Sequence, residues 1–239
     1  MKRVFATIIS LTMALSMTAC GSSSKWLVID DDMVVGCDTD AKGDVEIPDG
    51  AISIEEYAFK ECEKIETISV PDSVTYIDLN AFTMCSKLEE INVDKDNKTY
   101  CSEDGVLFSE DMTELMEYPY MHSGATYTIP DTVTTIGERA FGAAENLENI
   151  IIPDSVKVIE TGAFLYCEYI ETVVIPEGVT SIGEICFMKC ENLKTVAIPD
   201  SVVYIGDKAF DDCPNITVTY QGKTYTYDNI EELYTIQED

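Results

Sequence analysis

Apolar residues in this chain keep two spacings in turn. Ahead of a proline they fall two apart, as Val173 and Ile175 do before Pro176, which is the alternation of a strand with one buried face. After the proline the rhythm lengthens: Phe164, Cys167 and Ile170 stand three apart, a spacing that sets them on a single face of a 3₁₀ or short helical turn. Polar residues fill the positions between. Pro-Asp followed by Ser or Gly stops the strand, because proline brings no N–H to a ladder and the tripeptide suits a tight turn. The pattern predicts one short strand and one 3₁₀ or helical turn per unit.

The unit repeats. Ile47, Val70, Ile129, Ile152, Ile175 and Ile198 each precede a proline, at intervals of 23, 59, 23, 23 and 23, the long interval being two units plus 13 residues. A fixed period of this size marks a solenoid whose coils cannot bury an apolar face alone. The predicted fold is a β-rich (α+β) solenoid, a right-handed superhelix of 23-residue coils with a β-hairpin insertion. Stacking at about 4.8 Å lines up like positions, so Phe59, Phe82, Phe141, Phe164, Phe187 and Phe210 are expected to form an aromatic spine in the core.

The repeat divides the chain. Residues 26–46 read as an N-terminal cap, 47–92 as two coils, 93–128 as the insertion, 129–213 as four coils and 214–239 as a C-terminal cap with a hairpin and helical tail. Caps shield the open edges that a solenoid leaves. The insertion holds Tyr100, Tyr118, Tyr120, Tyr127 and the sole histidine, His122. As the one break in the repeat, it is a natural contact surface.

The unit I-P-D-S-V-T-x-I-G-x-x-A-F-x-x-C-x-x-L-x-x-V-x, seen in Ile152, Pro153, Asp154, Val156, Ile159, Ala163, Phe164, Cys167, Ile170 and Val173, closely resembles the BspA-type leucine-rich repeat of bacterial surface proteins, from about Val45 to Val218. It lacks the Asn ladder of the L-x-x-L-x-L-x-x-N-x-L form, so binding sites of that form do not transfer. The resemblance implies adhesion to host or bacterial surface proteins.

The first 19 residues have the form of a secretory leader: Lys2 and Arg3, then an apolar run from Val4, too short to span a bilayer. Met17-Thr18-Ala19-Cys20-Gly21 resembles the lipobox of bacterial lipoproteins, which favour Leu where Met17 stands. On that reading Cys20 is lipidated and residues 20–25 tether the fold to the membrane; on the other, the cysteine is incidental to a signal peptide. Formal charge is −30, and without Lys2 and Arg3 the balance becomes 13 basic against 45 acidic residues. That sign argues against nucleic acid and anionic headgroups as partners and leaves basic proteins, cations or neutral glycans.

Nine cysteines in an exported chain suggest disulfides, yet Cys62, Cys85, Cys167, Cys190 and Cys213 share one site in the unit, with Ala144 in the sixth copy. Stacked side chains there fall slightly beyond disulfide reach, so free buried thiols are expected. Cys186 replaces the column alanine and also points inward; only Cys37 and Cys101 are placed to pair. No Cys/His cluster suggests zinc. A calcium-loop hint at Asp38 to Gly43 fails because Lys42 stands where an oxygen ligand belongs. With no catalytic signature, the chain reads as a non-enzyme without cofactor.

Two surfaces are candidates for a ligand. One is the outward strand face: Thr67 and Ser69, Glu90 and Asn92, Asn149 and Ile151, Thr172 and Val174, Thr195 and Ala197, a composition that β-propensity alone also explains. The other is Leu165, Tyr166, Tyr169 and Met188, apolar where other coils carry polar residues. Tyr118 and Tyr120 in the insertion join these as binding candidates. The expected function is surface-anchored recognition of a protein. The alternatives are a glycan-binding module, with insertion tyrosines stacking on sugars, and an envelope lipoprotein without external ligand.

Overall fold

Each proline turn closes on itself and hands the chain to a strand. In the coil that begins at Pro153, Val156 N donates to Pro153 O at 3.2 Å, the strand Val158–Ile159 follows, and Cys167 N then donates to Phe164 O at 3.2 Å before the strand Thr172–Val174. The computed structural model describes residues 24–234, so the leader and Cys20 lie outside the described residues.

The chain is a β-solenoid with two short parallel ladders. Asn149–Ile151, Thr172–Val174 and Thr195–Ala197 stack in register on one side, and Thr135–Ile136, Val158–Ile159, Ser181–Ile182 and Tyr204–Ile205 on another. The second ladder adds a strand per coil that the sequence pattern does not announce, because two residues are too few to show alternation.

A third ladder runs along the turns. Arg139, Phe141 and Ala143 donate their N–H groups to Thr161, Ala163 and Leu165 of the next coil, at 3.1, 2.8 and 2.8 Å. Gly162, Phe164 and Tyr166 repeat the step onto Glu184, Cys186 and Met188. The residues flanking each phenylalanine are left-handed: φ is 57° at Arg139, 63° at Tyr166, 48° at Ile185 and 64° at Lys189. This conformation costs a non-glycine residue about 1–2 kcal/mol, and the coil-to-coil hydrogen bonds it permits offset that. It also turns these side chains away from the core.

The phenylalanines form two stacks. Phe141, Phe164, Phe187 and Phe210 lie 5.0, 5.0 and 5.3 Å apart, the last two pairs within 3° of parallel, while Phe59 and Phe82 pair separately at 5.7 Å. The core splits with them, into one cluster from Val34 to Leu107 and another from Val106 to Leu233. The single spine expected from the period is therefore interrupted, and the insertion lies at the break.

Cysteines of the repeat are free and buried. Their thiols point at the carbonyl of the preceding coil's phenylalanine: Cys85 to Phe59 at 3.1 Å, Cys167 to Phe141 at 2.9 Å, Cys190 to Phe164 at 3.2 Å and Cys213 to Phe187 at 3.0 Å. A cysteine at this site fills a small space and pins two coils. Cys37 is also free and lies beside Cys62, both thiols 3.7 Å from Asp38 O, whereas Cys101 donates to Ser109 O.

The insertion is a three-stranded unit. Tyr100–Glu103 and Val106–Ser109 form a hairpin whose turn, Asp104 and Gly105, has both φ angles positive, at 49° and 78°. A side chain at Gly105 would also meet Glu90 Cγ at 2.8 Å. Glu114–Glu117 pairs with Val106–Ser109 on one side and with Thr135–Ile136 on the other, joining the insertion to the later coils. At the chain ends, Leu27–Asp30 and Met33–Cys37 form one hairpin, Thr217–Tyr220 and Lys223–Thr226 another, followed by the short helix Glu231–Tyr234.

Candidate functional site

The strand ladder presents a flat outward face. Asn149, Thr172 and Thr195 are direct neighbours and exposed; Asn92 is exposed one coil from Ser69, and Thr67 is half-buried opposite Glu90. Val174 is 74% exposed on this face. From Asn149 to Thr195 its residues form a row along the ladder.

The turn face is different. Tyr166 and Tyr169 are 44% and 52% exposed; the half-buried Leu165 adjoins Tyr166 and the half-buried Met188 accepts from Tyr166 N on the next coil, while Tyr169 borders a depression shared with Glu145 and Glu148. Lys189 Nζ lies 4.9 Å from the centre of the Tyr166 ring, a cation–π contact. The patch is apolar in a strongly acidic protein.

The insertion tyrosines do not form a sugar platform. Tyr118 is 1% exposed and stacks 4.9 Å from Phe141. Its N–H donates to Ala140 O just as Phe141 N donates to Ala163 O, so Tyr118 heads the second aromatic stack in the place of a phenylalanine. Tyr100 is buried with its hydroxyl accepting from Ile77 N, and the half-buried Tyr120 accepts from Met84 N at 3.1 Å. Tyr127 and His122 pack on Tyr118, and His122 Nε2 meets Asp104 O at 2.7 Å. Spacing cannot show this role for Tyr118, because the insertion's register with the repeat follows only from pairing.

Between the second and third coils lies a seam. On the turn side it opens as two adjoining cavities of ≈ 290 and ≈ 430 Å³ that share Leu79 and Glu117 as walls. The larger reaches Tyr120, Arg139, Leu165 and Tyr166, so it is continuous with the apolar patch. On the strand side a polar depression of ≈ 630 Å³ is lined by Asn92, Ser102, His122 and Thr126. The seam residues Leu79, Met84, Glu117 and Arg139 escape sequence reasoning; the 13-residue excess in the repeat marks where the break falls but not what it opens.

Electrostatics follow burial. Desolvation raises the thiols of Cys167 and Cys213 to about 12, so they remain protonated donors. Desolvation likewise raises the Glu117 carboxyl well above the usual range. Lys64 lies 2.7 Å from Asp40 and holds that carboxyl below its usual range, which occupies the acidic turn near Asp38 with an ion pair. Among the described residues no group of carboxylates, thiols and imidazole is close enough to hold a metal ion, and no helix is long and apolar enough to cross a membrane.

Stacked short coils, an aromatic spine and Ile-Pro turns define a leucine-rich repeat solenoid. Residues 36–109 and 116–231 match the family described as BspA type leucine rich repeat region, in six copies, and the chain belongs to that family. It is similar to a leucine-rich repeat protein from Eubacterium ventriosum, at 29% identity and a TM-score of 0.66, over 74% of this chain and 54% of that one. It also resembles the pneumococcal vaccine antigen PcpA, at 22% identity, TM-score 0.54 and coverage of 75% and 58%. A leucine rich cell surface protein from Faecalibacterium prausnitzii gives 23%, 0.53, and coverage of 84% and 64%. The chain thus spans 54% to 64% of the length of these structures. The curated proteins searched include no match.

Proposed function

We propose that this protein is a non-enzymatic recognition protein, exported and held at the bacterial surface by lipid on Cys20, which binds a protein partner through its turn face. The observation that carries the reading is the patch of Leu165, Tyr166, Tyr169 and Met188, where two tyrosines stand in solvent on rigid stacked coils. Rigid aromatic anchors bury large area at small entropic cost, which suits them to the centre of an interface. The family is one of leucine-rich repeats, and the similar protein from Faecalibacterium prausnitzii is a cell surface protein, which supports this location. Charge selects the partner: a basic surface is favoured against a chain of this sign. The glycan alternative loses its main support, since the insertion tyrosines are buried or used in hydrogen bonds.

The test is binding of the purified protein to arrays of extracellular matrix proteins and of glycans. A matrix protein bound by the parent and lost on double substitution Tyr166→Ser and Tyr169→Ser, with melting temperature kept, supports the reading. Glycan binding alone, or no binding on either array, rejects it. Cys20→Ser should release the protein from the membrane fraction.

A further inference from the structure

Glu117 immediately precedes Tyr118, so once Tyr118 takes the place of a phenylalanine, Glu117 stands in the column held elsewhere by Ala58, Ala81, Ala140, Ala163, Cys186 and Ala209. Those residues are buried and small. Glu117, by contrast, is half-buried, and its side chain reaches from that column into the turn face. Leu115 is three residues before Tyr118, whereas its ladder partner Ile136 is five before Phe141, so the turn here is two residues shorter and the room they would fill stays open. Glu117 lines both halves of that opening.

The opening has one chemistry. No hydrogen bond or ion pair among the described residues engages the Glu117 carboxylate. Further carboxylates, Asp78, Glu114, Glu138 and Glu160, stand around the smaller cavity. Desolvation and then the charges of Glu160 and Asp111 raise the Glu114 carboxyl, a sign that negative charge here is uncompensated. Arg139 is the one basic residue in the walls, and its Nη1 is committed to Asn80 Oδ1 at 2.7 Å. Leu79, Phe82, Met116 and the rings of Tyr120 and Tyr166 complete the lining. The carboxylates are too dispersed for a metal ion. An apolar passage ending on an unpaired carboxylate fits an organic cation carried on a hydrocarbon stem.

We propose that the seam between the second and third coils receives a lysine or arginine side chain of the partner protein, with Glu117 as its counter-ion. The inference rests on the reading of the turn face as a protein-binding surface, onto which the cavity opens through Leu165 and Tyr166. An arriving cation stabilises the ionised carboxylate, so Glu117 releases its proton as the side chain enters and binding strengthens with pH. The titratable and charged groups around Glu117 are Cys85, Tyr120, Arg139, Asp78, Glu138 and Glu160, with Glu114 on its own strand; burial raises the Cys85 thiol and the Tyr120 phenol, so both stay neutral below pH 9.

The test is calorimetric titration of the protein with the Nα-acetyl N-methylamides of lysine, arginine and norleucine. The cationic amides should bind about tenfold tighter than norleucine amide, the factor of one modest charge pair. Glu117→Gln should abolish the difference without lowering the melting temperature, and Glu160→Gln, at the exposed rim, should reduce it by about twofold. As pH is raised from the acid side the cationic amides should gain affinity while norleucine amide does not. Equal binding of the three amides, no binding, or preference unchanged in Glu117→Gln would overturn the proposal. The patch is read separately: Tyr169→Ser should leave amide binding unchanged and weaken capture on the matrix array, so either idea can fail while the other stands.

Discussion

The coils from Pro130 to Cys213 and the seam beside the insertion satisfy the same backbone groups in opposite ways. In the regular coils the steps up to the last coil are backbone to backbone, so a coil is completed by its successor. At the seam the second coil has no such successor. Ile91 N still reaches Gly105 O, but three donors end on side chains: Ile77 N on Tyr100 Oη at 3.0 Å, Met84 N on Tyr120 Oη at 3.1 Å and Val93 N on Ser102 Oγ at 2.9 Å. Asn97, buried, donates to Pro71 O and Val74 O while accepting from Thr99 N and Tyr100 N. The C-terminal end uses the same device, with Phe210 N on Tyr234 Oη and Tyr220 Oη donating to Val202 O. The insertion is thus an internal cap joined to a restart. A solenoid can be stopped and resumed mid-chain, and the place where it resumes is where a cavity opens.

The largest way to break the comparison is alkaline pH, because it acts on the regular coils through several thiols together. In the unfolded chain these thiols ionise near pH 9.0, whereas burial holds Cys167 and Cys213 protonated to about 12. Their contribution is therefore full below pH 9 and falls as pH rises toward 12, since the unfolded state alone releases the protons. Each unit of difference is about 1.4 kcal/mol per thiol. Urea midpoints between pH 8 and 11 should decline steeply, and substitution of Cys167 and Cys213 by Ala should flatten the decline. Thiol titration of the denatured, unreduced protein should find eight free groups in the described residues.

Next in size is removal of a ring. Phe164→Ala, between two rings in the long stack, should cost about 3–5 kcal/mol in urea unfolding. Phe82→Ala should cost less, because Phe82 ends its pair and borders the seam cavity. Equal losses would show that the seam is packed as tightly as the stack.

Smallest, and sharpest in sign, are two hydroxyl deletions. Tyr118→Phe removes a buried hydroxyl that has no partner, so stability should rise by about 1 kcal/mol. Tyr120→Phe leaves Met84 N without its acceptor and should lower stability by about 1 kcal/mol. Melting temperatures of the two variants should move in opposite directions.

The repeating part of this molecule was legible in the chain. Apolar spacing led to the coil, the period to the stack, and column position to the free thiols, because in a solenoid each residue meets its own counterpart one coil away. Tyr118 shows where that logic stops. Nothing about the residue or its spacing separates it from Tyr120, yet one ring lies in the core and the other gives its hydroxyl to a neighbouring coil. The left-handed turn residues such as Ile185 were equally hidden, since a β-branched residue disfavours that conformation and only the ladder across coils compensates it.

What the sequence alone determined is the translation that maps coil onto coil, a local rule repeated until it fills the chain. What only the tertiary structure decided is the seam: which strand of the insertion takes up the interrupted ladder, which tyrosine enters the stack, and why Glu117 stands at an alanine position. Those outcomes depend on pairing between segments that share no pattern, and energies of such contacts exist only once both partners are in place.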